Sequence, residues 1–205
     1  LLFLLSAMFF YSYILIISII IIALITWIEF YALISKIFKK NSSKEQIFRL
    51  SCKATSLLYL SLLVYLILFI ESYSLNLKIF LLYSVLVSIA SDIGGLFFGK
   101  MFKGKKLTKI SPNKTISGSI GSFIFSLFLI PLFYPDLIKY DLLILFLITL
   151  LISTTSQVGD LFISYLKRKA NVKDTSNILP GHGGFLDRID GIIFAIPMGI
   201  LLFTL

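Results

Sequence analysis

The chain has 205 residues, 58% of them hydrophobic and only 14% charged, and its mean hydropathy of +1.00 excludes an ordinary soluble domain. Apolar runs of about 20 residues, each able to cross roughly 30 Å of hydrocarbon as a helix, mark a polytopic membrane protein. The net charge of +9 is accompanied by no nucleic-acid-binding motif, so nucleic acid is not an expected partner, and the single cysteine, Cys52, excludes an intrachain disulfide.

The first apolar run carries one charge, Glu29, between residues 2 and 33. It is too long for one untilted crossing and short for two. Leu1 to Phe10 therefore reads as the tail of a helix whose start is missing, and the chain as an N-terminally shortened form of a longer protein. Crossings are predicted at 12–35, 52–71, 78–98, 118–133, 140–167 and 185–205, about six in this chain. They make one all-α integral membrane bundle over residues 1–205. The breaks at 36–53, 100–114 and 167–188 are rich in Lys and Arg, and only Lys78 and Lys139 of the 19 basic residues fall on the opposite side. The positive-inside rule puts the three basic loops in the cytoplasm.

Unusual residues gather on that same side. The stretch 159–190 holds five basic residues, four aspartates, the only histidine and four glycines. Polar groups are costly in or beside a bilayer, so such a cluster is a functional-site hypothesis. Asp160, Ser164 and Lys167 follow i, i+4, i+7 spacing and share a helix face. Asp187 and Asp190 are i, i+3 neighbours at the start of the next helix, where the helix dipole favours anions. Aspartates on two helices supply the hard oxygen ligands that Mg²⁺ takes beside water and substrate phosphate. The run Pro180-Gly181-His182-Gly183-Gly184 resembles a backbone nest for phosphate. Lys167, Arg168, Lys169, Lys173 and Arg188 would neutralise a polyphosphate or an anionic lipid head group. Asp92, with Gly94, Gly95 and Gly99, and Ser111-Pro112-Asn113-Lys114-Thr115 lie on the same side and could converge on one cavity.

Each signal also has a plainer interpretation. A lone histidine such as His182 is more often a hydrogen-bond partner than a base. Basic loops set topology or touch anionic lipid, and Asp92 could line a polar helix contact. Trp27 and Tyr31 read as lipid-facing or interfacial aromatics. Taken together, carboxylates for metal, glycines for close approach and cations for phosphate point to phosphoryl or nucleotidyl transfer at a membrane surface.

The order Ser164-x-x-Lys167-Arg168-x-x-x-x-Lys173-Asp174, then Pro180-Gly181-His182-Gly183-Gly184-x-x-Asp187-Arg188-x-Asp190, resembles the signature of the phosphatidate cytidylyltransferases. Ser111-Pro112-Asn113-Lys114-Thr115-x-x-Gly118 looks like that family's second motif and Ser91-Asp92-x-Gly94 like its third, with a weaker echo at Trp27-x-Glu29. The motif-bearing part runs from about Tyr83 to the C-terminus. The resemblance implies a transferase of phospholipid biosynthesis that joins CTP to phosphatidate, giving CDP-diacylglycerol and pyrophosphate with Mg²⁺, a second cation being left open. Carried over by motif position, Asp160 and Asp187 would be metal ligands, and with Lys167 and Arg168 the catalytic set. Asp92, Ser111, Lys114, Thr115, Ser164, Lys173, His182, Gly183, Gly184, Arg188 and Asp190 would contact substrate. The family usually carries Glu where this chain has Ser117.

The expected setting is a bacterial cytoplasmic membrane, with the active site facing the cytoplasm and membrane lipids as neighbours. Gly118 and Gly121 are small residues that could serve a homodimer contact. The alternatives are a CTP-dependent polyprenol or phytol kinase and, from a different class, a membrane transporter. A transporter should place its polar residues near the midplane in repeated halves, whereas here they gather at one edge.

Overall fold

The computed structural model describes residues 12–38, 43–73, 75–108, 110–112, 114–178, 181 and 183–204. The helix tail expected over residues 1–10 lies outside them. Among the described residues the protein is all-α, with eight helices: α1 (Ser12–Ile37), α2 (Ser43–Tyr73), α3 (Leu75–Phe102), α4 (Ile116–Leu127), α5 (Leu129–Phe133), α6 (Leu142–Lys169), α7 (Leu186–Ile189) and α8 (Ile192–Thr204). Lys106 and Thr115 form an isolated antiparallel bridge. Five stretches are long and apolar enough to cross a membrane: Tyr13–Ile37, Ser43–Ser72, Leu77–Phe102, Ile116–Phe133 and Leu142–Lys169. This is an integral membrane protein.

Helix boundaries depart from the sequence expectation in three places. Most of the basic break at 36–53 is helical, because α1 runs to Ile37 and α2 starts at Ser43, carrying Glu45 and Arg49 in i, i+4 register. The crossing expected at 118–133 breaks between α4 and α5 at Phe128. Pro131, having no N–H, leaves the carbonyl of Leu127 without its helical partner. The helix expected to run from Phe185 stops at Ile189 and resumes at Ile192. The resulting α8 has 13 residues, about 20 Å at 1.5 Å per residue, which is shorter than the roughly 30 Å hydrocarbon layer.

Contacts divide the chain into two compact units, Leu1–Ser74 with Tyr165–Ile189 and Leu75–Ser164 with Asp190–Leu205. In the first unit α1 packs along α2. Ile17, Ile20, Leu24 and Ile28 of α1 are exposed, as lipid-facing residues are, while Leu15, Thr26, Glu29, Leu33 and Ile34 are buried.

The second unit is held together by small residues. In α6 the buried positions Leu145, Thr149, Ile152, Ser156, Gly159 and Ile163 recur every three or four residues and make one inward stripe. Lipid drives no hydrophobic association between helices, so close packing and hydrogen bonds must do it. Tyr83 Oη pairs with Thr149 Oγ1 at 2.6 Å, Ser88 Oγ with Ser156 Oγ at 2.7 Å, and Ser153 donates to Ser91 Oγ at 3.1 Å. Ser122 of α4 donates to the Ser91 carbonyl of α3 at 2.7 Å. The two helices meet on glycine: a Cβ on Gly118 would lie 2.8 Å from the Gly95 carbonyl oxygen, and one on Gly121 would lie 2.7 Å from that of Gly94. Gly118 and Gly121 are thus occupied within the chain, which removes them as the homodimer contact.

Candidate active site

In the second unit the acid–base residues come from three elements. α3 ends as a helix at Phe102. The segment after it folds back on itself, with the amide of Leu107 donating to the Lys114 carbonyl at 2.8 Å and that of Ile116 to the Lys105 carbonyl at 2.9 Å. This return delivers Lys114, whose Nζ forms an ion pair with Asp160 Oδ2 on α6. Ser164, one turn further along α6, donates to Asp160 Oδ1 at 3.3 Å. Asp92 of α3 is close enough for its charge to interact with both Asp160 and Lys114.

Other residues of the second motif make local hydrogen bonds. Thr115 is the N-cap of α4, accepting the Gly118 N–H at 3.0 Å. Ser117, standing at the position of the family's Glu, pairs with Thr115 Oγ1 at 3.0 Å and accepts the Gly104 N–H at 3.3 Å. Ser111 closes a turn through its carbonyl, which accepts the Lys114 N–H at 3.0 Å. Asp190 is buried, and its Oδ1 accepts the Gly191 N–H at 3.0 Å.

In the first unit Asp187 is the centre. Its Oδ1 accepts Lys167 Nζ at 2.7 Å. Its Oδ2 accepts the backbone N–H groups of Thr175 and Gly184, each at 2.9 Å, and lies 3.0 Å from Thr175 Oγ1. Burial by itself pushes the Asp187 carboxyl up, but the Lys167 ammonium and the two N–H donors outweigh it and hold the group below its ordinary value. Arg168, Lys173 and Arg188 are exposed. His182 lies outside the described residues.

The glycine run serves these contacts. Gly183 has φ +80°, a left-handed conformation that side chains rarely adopt, and a Cβ there would lie 3.0 Å from Asp187 Oδ2. A Cβ on Gly184 would lie 2.7 Å from Glu29 Oε2. The Gly184 N–H, which the nest reading offers to phosphate, is engaged by the protein's own carboxylate.

Glu29 was not among the candidate residues drawn from sequence. It sits on α1, 2% exposed, and accepts four hydrogen bonds from the loop that carries the signature. The donors are Thr175 Oγ1 at 3.0 Å, Ser176 Oγ at 2.5 Å, and the N–H groups of Phe185 at 2.9 Å and Leu186 at 2.8 Å. Thr175 Oγ1 lies within reach of both Glu29 and Asp187, so the two carboxylates share one loop. The signal was available: a lone carboxylate in a lipid-like segment is rarely without a partner.

Oxygen donors suited to a hard cation are present, as Asp160 with Ser164 in one unit and Asp187 in the other. Each aspartate already holds a lysine ammonium on one oxygen, so both carboxylates take a cation. Among the described residues no three His, Cys, Asp or Glu side chains stand together as a ready-made metal cluster.

An apolar helical frame with a lysine-paired carboxylate in each unit defines an integral membrane protein with charged clusters. Comparison with known proteins narrows this. The chain belongs to the cytidylyltransferase family, whose model matches residues 1–205. It is 43% identical over 122 residues to the phosphatidate cytidylyltransferase of Staphylococcus haemolyticus, covering 58% of this chain and 46% of that protein. The Bacillus subtilis protein of the same name is 41% identical over 128 residues, 62% of this chain and 48% of its own. That of Rickettsia bellii is 41% identical over 141 residues, 65% of this chain and 61% of its own. The chain thus spans about half the length of the first two relatives and somewhat more of the third.

Proposed function

We propose that this chain carries the cytidylyl-transfer site of a phosphatidate cytidylyltransferase. Phosphatidate oxygen would attack the α-phosphorus of CTP, forming the new P–O bond of CDP-diacylglycerol as the bond to pyrophosphate breaks. The observation that carries this is the signature stretch itself. Within it Asp187 is held by Lys167, by Thr175 and by the Gly184 N–H, in a chain whose relatives bear that enzyme's name. The comparisons do not favour the lipid-kinase alternative.

Each unit offers a carboxylate that would hold Mg²⁺: Asp187 in the first, and Asp160 with Ser164 beside it in the second. When bound, the ion would polarise phosphoryl oxygens and offset charge on the departing pyrophosphate. Lys114 and Lys167 stand beside those carboxylates, where they can neutralise phosphate oxygens. Arg168, Lys173 and Arg188, being exposed, are suited to drawing in an anionic nucleotide. Asp92, Ser111, Thr115 and Asp190 in the second unit, and Gly183 and Gly184 in the first, are assigned to substrate contact, as is His182 by its place in the signature. The distribution of Lys and Arg supports an active site facing the cytoplasm from a bacterial inner membrane.

The test is incorporation of labelled CTP into chloroform-soluble lipid by membranes containing the chain, with pyrophosphate measured alongside. The expected result is Mg²⁺-dependent incorporation with one pyrophosphate per lipid, reduced to background in Asp160→Asn and in Asp187→Asn. Release of CDP without pyrophosphate would point to a kinase instead. Near-normal incorporation in both variants would sink the metal assignment.

A further inference from the structure

Outside the signature region, α1 and α2 leave an open groove of about 480 Å³ lined by Trp27, Tyr31, Arg49, Lys53, Leu50 and Leu57, among others. Lys53 is only 6% exposed. Its Nζ lies 3.2 Å from the centre of the Tyr31 ring, and among the described residues it has no carboxylate partner. Arg49 gives one N–H to Ser35 Oγ at 3.2 Å and likewise has no acid. Trp27 Nε1 is buried with no hydrogen-bond acceptor among the described residues. A buried ammonium without a counter-charge is costly. A ring face recovers part of that cost and an anion would recover more.

The depth of the groove decides which anion. α2 has 31 residues, about 46 Å at 1.5 Å each, against roughly 30 Å of hydrocarbon. Lys44, Glu45, Arg49 and Lys53 all fall in its first eleven residues, so that end projects into the headgroup layer. Leu57, one turn past Lys53 on the same groove, is 45% exposed, as a residue touching an acyl chain would be. Cations at headgroup level above an exposed leucine match a phospholipid in both charge and polarity.

We propose that the α1–α2 groove binds the phosphate of an anionic membrane phospholipid, its headgroup on Lys53 and Arg49 and an acyl chain along Leu57. The site uses no residue of the cytidylyl-transfer reading and stands whether or not that reading holds.

Trp27 is the only tryptophan in the chain and lines the groove, so its fluorescence reports occupancy directly. The full chain is placed in lipid nanodiscs, and phospholipids with brominated acyl chains are titrated in as quenchers. Brominated phosphatidylglycerol should quench Trp27 at a mole fraction at least about fivefold below that needed with brominated phosphatidylcholine, the preference a single interfacial cation confers. Lys53→Gln combined with Arg49→Gln should abolish the preference while leaving the helical circular dichroism spectrum unchanged. Equal quenching by the two headgroups in the unmodified protein, a comparison that needs no variant to fold, overturns the proposal. So does a preference that persists in the folded double variant, or protection of Trp27 by free inorganic phosphate without headgroup preference.

Discussion

Replacing Glu29 by alanine should release the signature loop from α1. The side chain is 2% exposed, and its removal strands four donors. Two of them, the N–H groups of Phe185 and Leu186, cannot rotate away. At about 1–3 kcal/mol for each buried donor left unsatisfied, these two alone cost about 2–6 kcal/mol. The hydroxyls of Thr175 and Ser176 can turn to other acceptors, and water admitted to the vacated space offsets part of the loss, so about 2–4 kcal/mol is expected. Glu29→Gln keeps one acceptor oxygen and should lose about half as much. The measurement is the apparent Tm of the solubilised protein, together with the rate of protease nicking between residues 175 and 186. Thr175 Oγ1 also lies 3.0 Å from Asp187 Oδ2, so incorporation of labelled CTP should fall further than the amount of folded protein does. An alanine variant with unchanged Tm and unchanged nicking would refute the reasoning, because it would mean that the four hydrogen bonds contribute nothing.

Two further outcomes follow from the packing and the electrostatics. Gly121→Ala should destabilise the second unit by about 1–3 kcal/mol, the usual range for overpacking, since its Cβ would meet Phe98 Cγ at 2.5 Å and the Gly94 carbonyl oxygen at 2.7 Å; a thermal unfolding midpoint equal to that of the unmodified protein would count against close α3–α4 contact. Asp187 is held below its ordinary value, so its stabilisation is complete above the unfolded carboxyl pKa of about 3.9 and is lost as pH falls through the lower folded value. The stability gap between the unmodified protein and Asp187→Asn should therefore be flat from neutral pH to about pH 5 and close only in stronger acid; a gap that closed near neutrality would contradict the hydrogen bonding described.

Membrane helices are legible in a sequence because their dominant constraint is local. A run of some twenty apolar residues must satisfy its own backbone, whatever it packs against. Hence the all-α architecture and most of the crossings could be read directly, as could the concentration of charge at 159–190. Boundaries were less legible. α2 starts nine residues before the crossing expected at 52, in a stretch that charge alone marks as loop, because a basic segment can be helical or irregular at equal hydropathy. The stop at Ile189 falls at Asp190-Gly191, a pair that favours a turn, so here a mark was present that the continuous crossing expected over 185–205 passed over.

The residue types of the candidate site were also visible in the chain, and Asp160, Lys167 and Asp187 stand out by charge in an apolar background. Their partners were not. Glu29 meets Thr175 across 146 positions, and no periodicity links residues that far apart. The glycines show the same division: sequence marks them as places of close approach, which holds for Gly94, Gly118, Gly121, Gly183 and Gly184 alike. Only the tertiary structure decides what approaches, a neighbouring helix backbone for the first three and the carboxylates of Asp187 and Glu29 for the last two. Hydropathy and charge act through the bilayer and are properties of each segment, whereas hydrogen-bond partnership is a property of pairs and exists only once the chain has folded.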